Sequence, residues 1–196
     1  MNSDGHNTTL DFASDWVANF LAPLLMDDYF MKDTMILLTY DESETYSKPN
    51  QITSLLLGGA VPQELRGTKD DTFYTHYSIL STLQNNWDLS NLGRFDVGAN
   101  VFNFVAEKTG YVNQDLTAEQ RASVDLSVSY GGFLNTVPGM LRPLTAPNQK
   151  LVGAGGKGLC RRIMDEWADA TAALTPYDGS GNIWLPLEYG AQQPAG

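Results

Sequence analysis

Apolar residues at three- and four-residue spacing open the chain. Over residues 11 to 25, DFASDWVANFLAPLL, the residues Phe12, Trp16, Val17, Phe20, Leu21 and Leu24 recur at the period of an amphipathic helix, which is expected to pack on a sheet. A polar turn, MDDYFMKD, follows. Residues 34 to 40 then form a continuous apolar run, and ITSLLLGG at 52 to 59 forms another. Uninterrupted runs of this kind suit central strands covered by helices on both faces, so the pattern predicts a layered α/β fold. In THYSILSTLQNNWDL the residues Tyr77, Leu80, Leu83 and Trp87 line one helical face. Val97, Val101, Phe102 and Val105 do the same in DVGANVFNFVAEKTG. Beyond residue 110 the pattern thins: Gly131, Gly132, Pro138, Pro143 and Pro147 and the Gly-rich LVGAGGKG at 151 to 158 predict an irregular cap. One more helix is expected in GLCRRIMDEWADATAAL, and the end, AQQPAG, reads as a frayed tail.

Composition removes several function classes. The 196 residues, 42% hydrophobic and 11% aromatic, are enough for a globular core. A net charge of −11 with 12 Lys and Arg residues in no stripe argues against a nucleic-acid partner, because phosphate backbones are bound through basic side chains. Cys160 is the single cysteine, so it forms no internal disulfide and belongs to no C-x-x-C zinc pattern. The N-terminus MNSDGHNTTLDF is polar from its first residue, unlike a signal peptide, and no run approaches the roughly 20 apolar residues of a membrane span. Asn7-Thr8-Thr9 is an N-glycosylation sequon, relevant in a secreted protein. LVGAGGKG fails the phosphate-loop pattern, since Gly158 follows Lys157, and reads as a loop.

Candidate chemistry gathers where the first apolar run ends. Asp41 and Glu42 follow Thr39 and Tyr40 at once. In layered α/β folds ligands sit beyond the carboxyl ends of strands. Two adjacent carboxylates are tolerated in solvent or beside a cation, and their oxygens suit hard ions such as magnesium, calcium or manganese. Spacing leaves both readings open, a solvated loop or a metal site. His6, in D-G-H ahead of the first helix, and His76, in T-H-Y-S at the start of another, lie at element boundaries. Each is either an ordinary boundary residue or a site residue.

These residues stand within longer motifs. D-G-H, the W-V-x-x-F-L-x-P-L-L helix, ILLTYDESETY and LLLGGAVPQELRGTKDDTFYTHYSILSTLQNNWDLSNLGRFDVGANV, in this order, strongly resemble the fungal acid phosphatases of the phosphoesterase family. That family also includes bacterial phospholipases C and belongs to the alkaline phosphatase superfamily. The likeness covers residues 1 to 110 closely and continues loosely through PNQKLV to about residue 170.

The resemblance implies the C-terminal part of an α/β/α sandwich, residues 1–110, followed at 111–196 by a cap, a helix and a tail of the same domain. It implies a metal-assisted phosphoric-ester hydrolase acting on a small phosphomonoester or phospholipid, with a divalent metal ion as cofactor. Asp41 and Glu42 are similar to metal ligands, His6 and His76 to active-site histidines, and Asp4 would orient His6 or cap its loop. The family's E-N-x-x-F-D-type motif and its Ser or Thr nucleophile are not found here. This chain is therefore expected to be a partial domain without the nucleophile, from a family whose full-length members are expected to be extracellular. The alternative is a non-catalytic half-domain with a binding role or no function.

Overall fold

The computed structural model describes residues 6–44, 50–122 and 146–168. Asp4, residues 123–145 of the expected irregular cap, the expected helix residues beyond 168 and the expected tail lie outside the described residues. The chain divides into two compact units, Met1–Lys69 and Asp70–Gly196.

The first unit opens with helix α1, Leu10–Leu25. Thr9 caps it, its hydroxyl accepting the Phe12 N–H at 3.3 Å, which satisfies one of the donors that a helix N-terminus leaves over. Pro23 supplies no ladder donor, and the helix stops two residues later. A single turn, α2 at Asp28–Met31, is capped by the Asp27 carboxylate, which accepts from the N–H groups of Tyr29 and Phe30. Strands β1, Ile36–Thr39, and β2, Ser54–Leu57, pair antiparallel with Ile36 opposite Leu57 and Thr39 opposite Ser54. The Thr39 and Ser54 hydroxyls close the end of the ribbon at 2.6 Å.

This arrangement corrects the expected packing. Among the described elements α1 lies against α2 rather than on the sheet, and β1 and β2 form a two-stranded ribbon, not central strands covered on both faces. Ser54 and Leu55 are exposed. A four-residue apolar run sets a preference for burial, but it carries no information about how many strands or helices are at hand to cover it.

The second unit holds α3, His76–Trp87, α4, Asn103–Thr109, α5, Ala118–Ala122, and α6, Arg161–Glu166. α3 packs on α4, and the core collects Phe95, Val97, Val101, Phe102, Val105 and Leu159. α3 forms where its spacing predicts, yet its buried face is polar: Ser78, Ser81, Thr82 and Gln84 are buried while Leu83 and Trp87 are exposed. These small polar side chains bind backbone. Ser81 Oγ donates to the Ala99 carbonyl at 2.7 Å, and Thr82 Oγ1 accepts the Phe102 N–H at 2.9 Å.

The helix expected through 96–110 begins only at Asn103. Gly98 has φ +86°, a left-handed conformation that breaks any helix through it. Val97 and Val101 are nevertheless buried. They sit in a loop whose backbone groups are met by side chains instead of helical carbonyls: Asp96 accepts from Leu92 N–H and Arg94 N–H, and Asn113 bonds both the N–H and the C=O of Val101. The last helix also starts late. Gly158 to Cys160 run extended beside Asn91, with Asn91 N–H donating to Gly158 O and Cys160 N–H to Asn91 O. No helix among the described residues is long and apolar enough to cross a membrane.

Candidate active site

β1 delivers the acidic pair. The strand ends at Thr39, and Asp41 and Glu42 follow in an exposed bend beside the ribbon's closed end. The Asp41 Oδ1 accepts the Glu42 N–H at 3.0 Å, which fixes that carboxylate against its own loop. The Ser43 N–H donates to Asn50 Oδ1 at 2.7 Å, tying the far side of the bend back toward the start of β2. His6 is exposed in the bend that leads into the Thr9 cap of α1.

His76 belongs to the second unit, as the first residue of α3, and is exposed. Its place is set by a capping box: Thr75 Oγ1 accepts the Tyr77 N–H at 3.2 Å, and Ser78 Oγ accepts the Thr75 N–H at 3.1 Å. Just ahead of it stands a pair that sequence reasoning missed. The Tyr74 hydroxyl donates to Asp70 Oδ2 at 2.6 Å and accepts the Asn103 N–H at 2.8 Å. Burial, and next the bond to Asp70, push the Tyr74 phenol above its ordinary value. Burial alone would raise Asp70, but the hydrogen bonds from Tyr74 and Thr72 outweigh it and hold the carboxyl below its ordinary range. The signal in the sequence was a D-D-T-F-Y-T stretch, whose Asp-x-Thr reads as a turn, while the Asp70–Tyr74 contact is not deducible from it.

The structure thus brings Asp41 and Glu42 together on one loop, leaves His6 in the bend ahead of α1 and sets His76 at the start of α3. Asp41 and Glu42 offer the hard oxygen donors that a divalent cation takes. Their number falls short: among the described residues no group of three or more His, Cys, Asp or Glu side chains is gathered so that it could hold a metal ion. The donor chemistry fits such an ion and the donor count does not.

Comparison with known proteins bears on the same residues. The model of the phosphoesterase family matches residues 1–90, the stretch that contains all four. A probable acid phosphatase of Kluyveromyces lactis is 46% identical over 169 residues, 86% of this chain, and an acid phosphatase of Aspergillus fumigatus is 42% identical over 93% of it. The chain belongs to the phosphoesterase family. An acid phosphatase of Aspergillus niger is 57% identical over 116 residues, 59% of the chain. This phosphoesterase chain covers only 38%, 42% and 28% of those three relatives, in the order given. No solved structure matches it.

Proposed function

We propose that this chain is part of a metal-assisted phosphoric-ester hydrolase of the acid phosphatase type, acting on a small phosphomonoester or phospholipid. The carrying observation is the identity, 42% and 46% over most of the chain, to proteins named acid phosphatases. In this reading residues 1–110 are the C-terminal part of an α/β/α sandwich of the alkaline phosphatase superfamily type, and 111–196 are its cap and tail.

Asp41 and Glu42 contribute carboxylate oxygens to the metal site, and His6 and His76 contribute imidazoles that orient or protonate phosphate oxygens. A bound divalent ion supplies Lewis-acid stabilisation of charge on a phosphoryl oxygen. The Asp41 carboxylate is bonded to its own loop, and that loop is tied at Ser43 to Asn50, so placing this ligand costs little ordering when the remaining ligands arrive. Those ligands and the nucleophile come from the part of the family fold that this chain does not cover. A full-length enzyme of this kind is expected to be extracellular.

The test is a chimera in which this chain replaces the matching portion of the Kluyveromyces lactis relative. Release of p-nitrophenol from p-nitrophenyl phosphate should be lost with a chelator and should fall by roughly 10²-fold or more in the Asp41→Ala variant. Full activity in that variant removes Asp41 from the site. A second reading, a non-catalytic half-domain, is favoured by the donor set among the described residues, which is too small to hold a metal ion. It predicts an inactive chimera and no heat on titrating manganese into the chain.

A further inference from the structure

Helix α1 carries two apolar stripes, and only one of them is used. Ala13, Val17, Leu21 and Leu24 face inward, with Leu21 buried and the others partly so. Phe12, Trp16 and Phe20, roughly a quarter-turn round the helix, are 50%, 44% and 54% exposed. They form a continuous ridge: the Trp16 and Phe20 rings stack with centroids 5.2 Å apart and planes 6° apart. Single exposed aromatics are ordinary, whereas three in one row mark a contact surface.

The rest of the first unit is short of partners in the same way. β1 and β2 have only each other among the described residues, and an isolated two-stranded ribbon is marginal in water. Leu21 and Val61 are the buried hydrophobic side chains described there, against the series from Phe95 to Leu159 in the second unit.

We propose that the Phe12–Trp16–Phe20 ridge is the docking surface for the remainder of a phosphoesterase fold, the portion of the relatives that this chain leaves unmatched. This rests on the family membership behind the proposed function and on none of the site residues assigned there. The chain covers 38% and 42% of the length of two relatives, so more than half of each relative's length lies beyond the matched part. The family match over residues 1–90 includes both α1 and the ribbon. Such a fold can supply an apolar layer over the ridge and further strands for the open ribbon edges. A second copy fits less well. Asp11 and Asp15 flank the ridge, and self-pairing would set acidic flank beside acidic flank in a chain already at −11.

The experiment mixes the full chain with the Kluyveromyces lactis relative shortened to its unmatched portion, in chelator-containing buffer, and follows association by sedimentation velocity. A complex is expected. Trp16→Gln and Phe20→Gln should each weaken it at least ten-fold, while Trp87→Gln, an exposed position of the second unit, should leave it unchanged. Wild-type chain that does not associate overturns the proposal, as do ridge variants that bind like wild type. A self-associated chain that Trp16→Gln dissociates also overturns it and assigns the ridge to a second copy. Because the readout is binding without metal, complex formation alongside an inactive chimera would sink the hydrolase reading and leave this one standing.

Discussion

The Tyr74 hydroxyl donates to the Asp70 carboxylate at 2.6 Å, four residues back along the chain, and ties the entry of α3 to the start of α4 through Asn103. Asp70 titrates below its ordinary value of 3.8 when folded, so its stabilisation is complete above 3.8 and is lost as pH falls through the lower folded value. Tyr74 shifts the other way: its contribution is present below 10.0 and is lost as pH rises past it. Asp70→Asn should cost about 1 kcal/mol at pH 6, a low figure because the carboxylate is partly exposed, and should flatten the acid limb below pH 3.8. Urea unfolding followed by circular dichroism across that range checks both. An unchanged acid limb would remove Asp70 as its source.

Asp96 offers a harsher test. Its carboxylate is fully buried and accepts three N–H groups, from Leu92, Arg94 and the Gln84 side chain, all between 2.7 and 2.8 Å. Asp96→Ala strands all three donors, and each buried orphan costs about 1–3 kcal/mol, so a loss of at least about 3 kcal/mol is expected. Asp96→Asn keeps one acceptor and should fall between the variant and the wild type in the same unfolding measurement.

Packing accounts for two glycines of the Gly-rich loop, Gly153 and Gly155. A Cβ on Gly155 would run into the carbonyl oxygens of Leu89 and Gln84 at the end of α3, and the loop is held there by Asn85 donating to Ala154 O at 2.9 Å. Gly155→Ala should lower stability by about 2 kcal/mol through overpacking. Wild-type thermal stability in this variant would show that the loop can move aside.

At the start of α3 the cap and the candidate site residue can be separated. Thr75→Ala removes a capping-box partner and should cost about 1 kcal/mol. His76→Ala, at an exposed position, should stay within about 0.5 kcal/mol of wild type. In the chimera the pattern should invert, with His76→Ala lowering phosphate-ester hydrolysis more than Thr75→Ala. Equal activity in both variants would leave His76 as a helix-start residue only.

Apolar spacing located α1 and α3, and uninterrupted apolar runs located the two strands, because both are local properties that survive without knowledge of neighbours. The strand that ends on Thr39 and leads through Tyr40 into Asp41 and Glu42 was legible for the same reason, and so was the motif order that the phosphoesterase match supports. What covers each element was not legible. α3 buries Ser81, Thr82 and Gln84 because loop carbonyls, N–H groups and a carboxylate lie opposite them. Val97 and Val101 reach the core from a loop because Gly98, Asp96 and Asn113 hold that backbone out of a helix. The Asp70–Tyr74 bond, the exposed aromatic ridge of α1 and the single pairing of β1 with β2 belong to the same class. Each depends on which groups meet across space, and hydrogen bonding and burial are decided by that meeting, not by the spacing of residues along the chain.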